Sequence, residues 1–309
     1  MLKNATLRQL ATLHTVARWG SVSRAASELS LTQPAVSIQL KLLEESAGTP
    51  LLQRHGRGIA LTEAGHRMAH YAGRILDLWR DAGDEMAAHR GVSSGTLRIA
   101  AVTTAEYLLP PLLVRFVDSH PGVQVNLAIG NRLEVVRQLA NHEVDLVIMG
   151  RPPRELRTEA RVFAKHPMAF FGGAGHVLAQ KRRVSLRSVA DTHLIVRERG
   201  SGTRAALEYL FKDAGLPLRV GSELSSNEAI KQMCAAGFGI TFLSLHTCGL
   251  EIQAGILKLL KVPGFPIERE WFVMHLAERE LPQVSADFEE FLVNQGPALI
   301  RDQLRNLPR

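Results

Sequence analysis

The stretch Ser21-Val22-Ser23-Arg24-Ala25-Ala26-Ser27-Glu28-Leu29-Ser30-Leu31-Thr32-Gln33-Pro34-Ala35-Val36-Ser37-Ile38-Gln39-Leu40-Lys41 decides the fold of the first part of the chain. Its leading serines offer N-caps for a short helix, and Ala25 and Ala26 are small enough to admit close approach of another helix. Ser30 and Leu31 form a tight turn. Thr32 then caps a new helix with Pro34 in its first turn, where a backbone N–H would have no helical partner anyway. Val36, Leu40 and Leu43 share one face of that helix, while Gln33, Ser37 and Lys41 share the other. Helix, turn and polar-faced helix make a helix-turn-helix, whose second helix enters the DNA major groove. The alternative is a small helical bundle in which the Gln33/Ser37/Lys41 stripe is only a solvated face.

The flanking segments extend this reading. Leu7, Leu10, Leu13 and Ala17 recur at helical steps and form a packing helix. After the decisive stretch, residues 50–61 hold two short apolar pieces around a Gly-rich basic turn, the pattern of a β-hairpin wing. Residues 1–60 carry seven basic and three acidic side chains, so +4 of the chain's net +7 lies where DNA would sit. From Thr62 a helical pattern runs to about Arg90. Ala64, Met68, Tyr71, Ile75, Leu78, Ala82, Glu85 and His89 follow alternating steps of four and three, and the seam predicts a dimerising linker helix. Gly91 to Gly95 break the pattern and mark a boundary.

At 309 residues the chain is long enough for about two domains. With 46% hydrophobic and 22% charged residues it has ample surface to bury and no disorder signature. Two cysteines, Cys234 and Cys248, cannot build a disulfide framework, and the N-terminal segment lacks an unbroken apolar core for export. A cytoplasmic protein without a membrane span is the expectation. Beyond the boundary, strand-like and helix-like segments alternate. Leu97–Val102, a helix from about Thr104 to His120, Val123–Ile129, a helix near Leu133–Asn141 and Val144–Met149 predict a βαβαβ unit with a parallel sheet. A second set follows, with strands at 168–171, 193–196 and 239–245 and helices at 203–214 and 227–236. A strand at 270–276 and a helix from about Gln283 complete the chain.

This order resembles the LysR-type transcriptional regulators across essentially the whole chain. The residues that carry the resemblance are Ser23-Arg24-Ala25-Ala26 through Leu29, Thr32 through Ser37, Leu43-Glu44, Gly48, Leu51, Arg54 and Leu61-Thr62-Glu63-Ala64-Gly65. Within the family the chain looks like the regulators of Calvin-cycle carbon-fixation (RuBisCO) operons. The segments Gly130-Asn131-Arg132, 143–153, Gly200 through Arg204, Ser226 through Gln232 and 243–247 support that likeness. The implied architecture is α/β. It has a winged helix-turn-helix over residues 1–61, a linker helix over 62–91 and a two-lobed, periplasmic-binding-protein-like effector domain over 92–309. Lobe 1 takes about 92–164 plus 268–309, and lobe 2 about 165–267. A LysR-type regulator of another operon answering to an organic acid is the alternative within the family, and a solute-binding protein the alternative outside it.

The candidate DNA-binding residues are Ser23, Thr32, Gln33, Pro34, Ser37, Ile38, Lys41, Arg54 and Arg57. Gln33 can pair with adenine and Ser37 can reach a base edge, whereas Lys41, Arg54 and Arg57 suit phosphate, which fixes register without reading sequence. Ile38 stands where the family often has a polar residue and offers only apolar contact to a thymine methyl. Dimerisation is assigned to Met68, Tyr71, Ile75, Leu78 and Ala82.

The candidate effector residues are Thr103, Thr104, Asn131, Arg132, Arg151, Arg154, Ser201, Gly202, Thr203, Asn227 and His246. Helix N-termini after strands offer backbone N–H groups to an anion, and arginines add charge-assisted bonds. Read without the resemblance, Thr103 and Ser201 serve equally as ordinary N-caps. Ligands in the resembled subgroup are phosphorylated intermediates or nucleotide cofactors. His66 and His70, four apart, lack a third metal ligand, and Gly172 to Gly175 lack the strand-to-helix setting of a dinucleotide fingerprint. A redox pair of Cys234 and Cys248 would need proximity. No catalytic set, metal or bound cofactor is expected. The expected partners are double-stranded operator DNA, a small anionic effector, a second copy of the chain and RNA polymerase.

Overall fold

In the computed structural model, residues 4–55, 58–89 and 95–304 are described. Contacts divide the chain into two units, Met1–Val92 with Asn141–Glu143, and Ser93–Ala140 with Val144–Arg309.

In the first unit each helix starts and stops where local chemistry dictates. Helix α1 (Leu7–Trp19) opens on a capping box in which Thr6 Oγ1 accepts from the Gln9 amide and Gln9 accepts from the Thr6 amide. Gly20, at φ 58°, ends it. Helix α2 (Val22–Glu28) is capped by Ser21, and Ser30 makes the turn at φ 53°. Helix α3 (Gln33–Ala47) is capped by Thr32, whose Oγ1 accepts from the Ala35 amide at 3.3 Å, and ends at Gly48 with φ 69°. Leu10, Leu13, Val16, Ala25, Ala26, Val36, Leu40, Leu43 and Leu51 close one core between the three helices. Strands β1 (Leu52–His55) and β2 (Gly58–Leu61) pair antiparallel as the wing. Helix α4 (Glu63–His89) follows, roughly 40 Å long at 1.5 Å per residue. The sequence break at 91–94, the helix end at Arg90 and the wing tip with Arg57 lie outside the described residues.

The second unit is built on one mixed sheet. Strand β3 (Thr96–Val102) pairs in parallel with β4 (Gln124–Gly130) and β5 (Leu146–Met149), and α5 (Leu109–Ser119) and α6 (Arg132–Ala140) make the crossovers. The remaining elements are β6 (Thr158–Gly173), α7 (Leu186–Ala190), β7 (Leu194–Arg197), α8 (Gly202–Asp213), β8 (Val220–Leu224), α9 (Asn227–Ala235), β9 (Ile240–Ser244), α10 (Gly249–Gln253), β10 (Leu257–Leu259), β11 (Ile267–Leu276) and α11 (Gln283–Leu304). The sheet order is β4-β3-β5-β11-β6-β9-β7-β8, with β10 on β6. The long antiparallel pair β6/β11 joins two halves, each with its own core. Phe116, Phe163, Trp271 and Phe288 fill one, and Phe170, Phe211 and Phe242 fill the other. Among the described residues no helix is long and apolar enough to cross a membrane.

Three differences from the sequence reading have physical causes. The helix expected from Thr104 to His120 is a 3₁₀ turn, Thr103–Tyr107, followed by α5. Pro110 and Pro111 lack the N–H groups that would continue one helix through that point. The strand expected at 168–171 is the end of a 16-residue strand. Pro167 in its middle and the charged residues Glu159, Arg161 and Lys165 before it disguise its first part. The short elements β8, β10, α7 and α10 carry too few residues for a periodic pattern and were not anticipated.

Candidate functional site

On the first unit, the polar face of α3 is open. Thr32, Gln33, Pro34, Ser37 and Ile38 are exposed, Ile38 by 57%, as are Ser23 and Arg54. Lys41 projects into solvent beside Glu45, 4.0 Å away. The apolar face is fully committed to the core, so α3 presents a rigid polar surface at the end of a helix whose first turn has free amides. On α4, Met68 is turned into the core of the same unit rather than along the exposed stripe, because it sits over the hairpin and α1. Tyr71, Ile75 and Leu78 stand exposed and Ala82 is exposed with them; Trp79 and Met86, also exposed, extend the stripe beyond the residues expected. The side chains of Glu85 and His89 lie outside the described ones.

On the second unit, the C-terminal ends of the parallel strands converge on a cleft, the place where open α/β sheets bind ligands. Strand β3 delivers Thr103 and Thr104, β4 delivers Asn131 and Arg132, and β5 delivers Gly150 and Arg151. From the other half, β7 delivers Arg197, and the start of α8 delivers Ser201, Gly202 and Thr203. The β6/β11 pair supplies His166, Met168 and Arg269 as the floor. The space between these residues is ≈ 460 Å³, part of it open to solvent.

The charges in the cleft are of one sign. Arg132, Arg151, Arg197 and Arg269 line it, and no Asp or Glu does. Arg132 is oriented by backbone acceptors, donating to Arg151 O at 2.6 Å and Pro152 O at 3.3 Å. Burial, and after it the proximity of Arg151, lower its pKa against the opposing effect of Glu155. Burial also lowers the pKa of Arg269, followed by repulsion from Arg151 and Arg132. Arg197 is buried and fully engaged, with Glu198 accepting from Nε and Nη2 at 2.8 and 3.0 Å and Asn227 Oδ1 accepting from Nη1 at 2.7 Å. An anion is the ligand that relieves such crowding.

The helix-turn-helix family model described as "Bacterial regulatory helix-turn-helix protein, lysR family" matches residues 7–66, and "LysR substrate binding domain" matches residues 90–297. The chain belongs to the LysR family. A "RuBisCO operon transcriptional regulator" of Allochromatium vinosum is 39% identical to this LysR-family chain over 95% of it and 97% of its own length. The regulatory domain of Synechocystis CcmR in complex with 2-PG is 37% identical, with a TM-score of 0.63 over 66% of this chain and 100% of that domain. Full-length CbnR, a LysR regulator solved with its target DNA, is 26% identical with a TM-score of 0.64, covering 93% of this chain and 98% of CbnR.

Within this LysR-family chain the structure gathers Thr103, Thr104, Asn131, Arg132, Arg151, Ser201, Gly202 and Thr203 around the cleft. Some of their polar atoms are already used. Ser201 Oγ accepts from the Thr203 amide at 3.2 Å, and Asn131 caps α6 by accepting from the Glu134 amide at 3.0 Å. Three predicted residues stand elsewhere. Arg154 is exposed past Pro152 and Pro153, whose fixed backbone carries the chain away from the strand end. Asn227 is buried behind Arg197, and His246 is buried behind His166. Cys234 and Cys248 pack in one apolar cluster as free thiols, and burial pushes Cys234 up to about 12 and Cys248 well above the usual thiol range. Such thiols are inert as redox groups. No metal-binding cluster occurs among the described residues.

Sequence reasoning missed His166, Arg197 and Arg269. Each is a polar residue inside or at the end of an apolar strand, and that mismatch with its neighbours was the available signal.

Proposed function

We propose that this LysR-type regulator controls carbon-fixation genes by binding operator DNA through α3 and a small phosphorylated metabolite through the cleft. The observation that carries the reading of the cleft is its lining of four guanidinium groups without a carboxylate. The space of ≈ 460 Å³ falls in the range of small-molecule sites, roughly 300–1,000 Å³, and suits a compact phosphate ester better than a dinucleotide. The relatives support the target genes, since the Allochromatium protein is named for the RuBisCO operon and the CcmR domain was solved with 2-PG.

Thr103, Thr104, Ser201, Gly202 and Thr203 provide hydroxyls and amides, and Arg132, Arg151, Arg197 and Arg269 provide charge. A ligand that favours one arrangement of the two halves shifts the population toward it, and only differential affinity does so. The stripe on α4 pairs two copies, so that two α3 helices reach successive half-sites, with RNA polymerase as the machinery acted upon.

Calorimetric titration of the full chain with small phosphate esters, nucleotides and uncharged sugars tests the effector class. Saturable binding of a phosphate ester that also changes operator affinity is expected. Equal indifference to every anion, or preference for an uncharged sugar, would overturn it.

A further inference from the structure

The floor of the cleft carries more than positive charge. His166 on β6 is buried, lines the cleft, and has no hydrogen-bond partner at either ring nitrogen among the described residues. Its ring lies flat on Trp271, with centroids 3.9 Å apart and planes 18° off parallel. His246 closes the back of the pair, 6.3 Å from each ring, and its own Nε2 is also unpartnered. Stacking therefore fixes the plane of the imidazole while its polar edge is unused.

Every element packed on this ring can be named. The end of β5 brings Gly150, where an added Cβ would stand 3.0 Å from His166 Nδ1, so the glycine keeps that edge clear. Strand β11 brings Trp271 and Arg269, the latter opposite His166 in the strand register. The turn after β9 brings His246. The charged and titratable groups that face the ring are Arg269 and His246, and no carboxylate is among them. Burial, then those two neighbours, holds His166 neutral. A neutral imidazole offers one N–H donor and one acceptor. Buried polar atoms in native folds are nearly always satisfied, so an orphaned ring edge aimed into a cleft points to a polar group brought by the ligand.

We infer that His166 and Arg269 together hold a carboxylate of the effector, the imidazole donating one neutral N–H and the guanidinium supplying the charge. The ligand class is then a small phosphate ester that also bears a carboxylate, with the phosphate at the Thr103/Thr104 and Ser201–Thr203 side. This inference rests on the reading of the cleft as the effector site.

The test is calorimetric titration of the full chain with phosphoglycolate, which has both groups, and ethyl phosphate, which has only the phosphate. The wild type should bind phosphoglycolate at least about tenfold more tightly. His166→Phe keeps the stacked ring and removes its nitrogens. It should reduce the preference to within about threefold while leaving ethyl phosphate affinity unchanged, whereas His166→Gln, which retains an N–H, should keep most of it. Gly150→Ala, which crowds Nδ1 without touching the stack, should lower the preference in the same way and serves if His166→Phe does not fold.

The ratio of the two affinities cancels the titration of the phosphate itself. With a neutral donor it should stay constant between about pH 6.5 and 8.5. No preference in the wild type, equal losses for both ligands in the variants, or a preference that grows only toward acid would overturn the inference. Failure of the wild type to bind either ligand would instead sink the effector reading of the cleft, and this inference with it.

Discussion

The Arg197 guanidinium donates to Asn227 Oδ1 at 2.7 Å, and the same Asn227 side chain donates through Nδ2 to Thr103 O at 3.4 Å. A charge on one wall of the cleft is thereby tied to the backbone of the other. Tyr107 and Glu228 add a second tie between the same two elements, with 2.7 Å between the phenol oxygen and the carboxylate. Lys231 lies 4.8 Å from the Tyr107 ring centroid and pairs with Glu228 and Glu251.

Asn227→Ala should therefore weaken both folding and anion binding. It removes the acceptor of a buried guanidinium N–H, at about 1–3 kcal/mol, which lowers Tm by roughly 2–4 °C per kcal/mol in a domain of this size. Asn227→Asp keeps the acceptor and loses only the donor to Thr103, so it should be the milder variant. Thermal melts and titration with a phosphate ester check both, and an unchanged Tm for the alanine variant would contradict the assignment.

Gly65→Ala should damage the DNA-binding unit. A Cβ there would lie 1.9 Å from Leu51 O, a backbone atom of the segment entering the wing, and Glu44 Oε1 fixes the same segment by accepting from the Leu51 and Leu52 amides at 2.8 and 3.0 Å. The expected loss is about 1–3 kcal/mol by overpacking. Gly83→Ala, on the same helix with nothing within 4 Å, should be neutral or stabilising by up to about 1 kcal/mol. Chemical denaturation of the two variants decides.

On α3, Gln33 and Lys41 should separate on DNA. Gln33→Ala is expected to cost about 1–3 kcal/mol on the specific operator and little on unrelated duplex. Lys41→Ala should weaken both alike and reduce the salt slope by about 1. Fluorescence anisotropy at several salt concentrations reads both effects, and equal losses for Gln33→Ala on the two DNAs would remove it from base readout.

Leu78 is 70% exposed and Trp79 67%. Leu78→Glu places a charge in the middle of the stripe and should shift the full chain toward monomer in light scattering, with operator affinity falling in step. A variant with unchanged mass would exclude α4 as the pairing surface.

His246 sets an acid limit on stability. Burial lowers its pKa to about 4, against 6.5 for the free group. Between these values the unfolded chain binds a proton that the folded chain does not, so stability is complete above about pH 6.5 and declines as pH falls toward 4. The full shift corresponds to roughly 3 kcal/mol. His246→Phe should flatten the pH dependence of the urea midpoint in that window, and an unchanged slope would show that the ring is protonated in the folded state.

The DNA-binding half was legible because its determinants are local. Thr32, Pro34 and Gly48 bracket one helix, and the alternation of Val36, Leu40 and Leu43 with Gln33, Ser37 and Lys41 sorts its faces within four turns. In the cleft, the residues found were those beside strand-to-helix turns, such as Thr103 and Ser201, since turn chemistry also acts over a few residues. Arg154 was misplaced because its neighbour Arg151 shares its type, and only the path taken after Pro152 separates them.

The amino-acid sequence by itself determined the helix-turn-helix, the order of strands and helices, and the concentration of basic residues in the first sixty positions. These follow from periodicity, capping and composition, which need no knowledge of what lies across the fold. Only the tertiary structure decided that Arg269 and His166, 103 positions apart, stand opposite each other on the floor of the cleft, and that Asn227 serves Arg197 instead of a ligand. Strand register and the long antiparallel pair β6/β11 create those neighbourhoods, and pairing between distant segments leaves no periodic trace in either one.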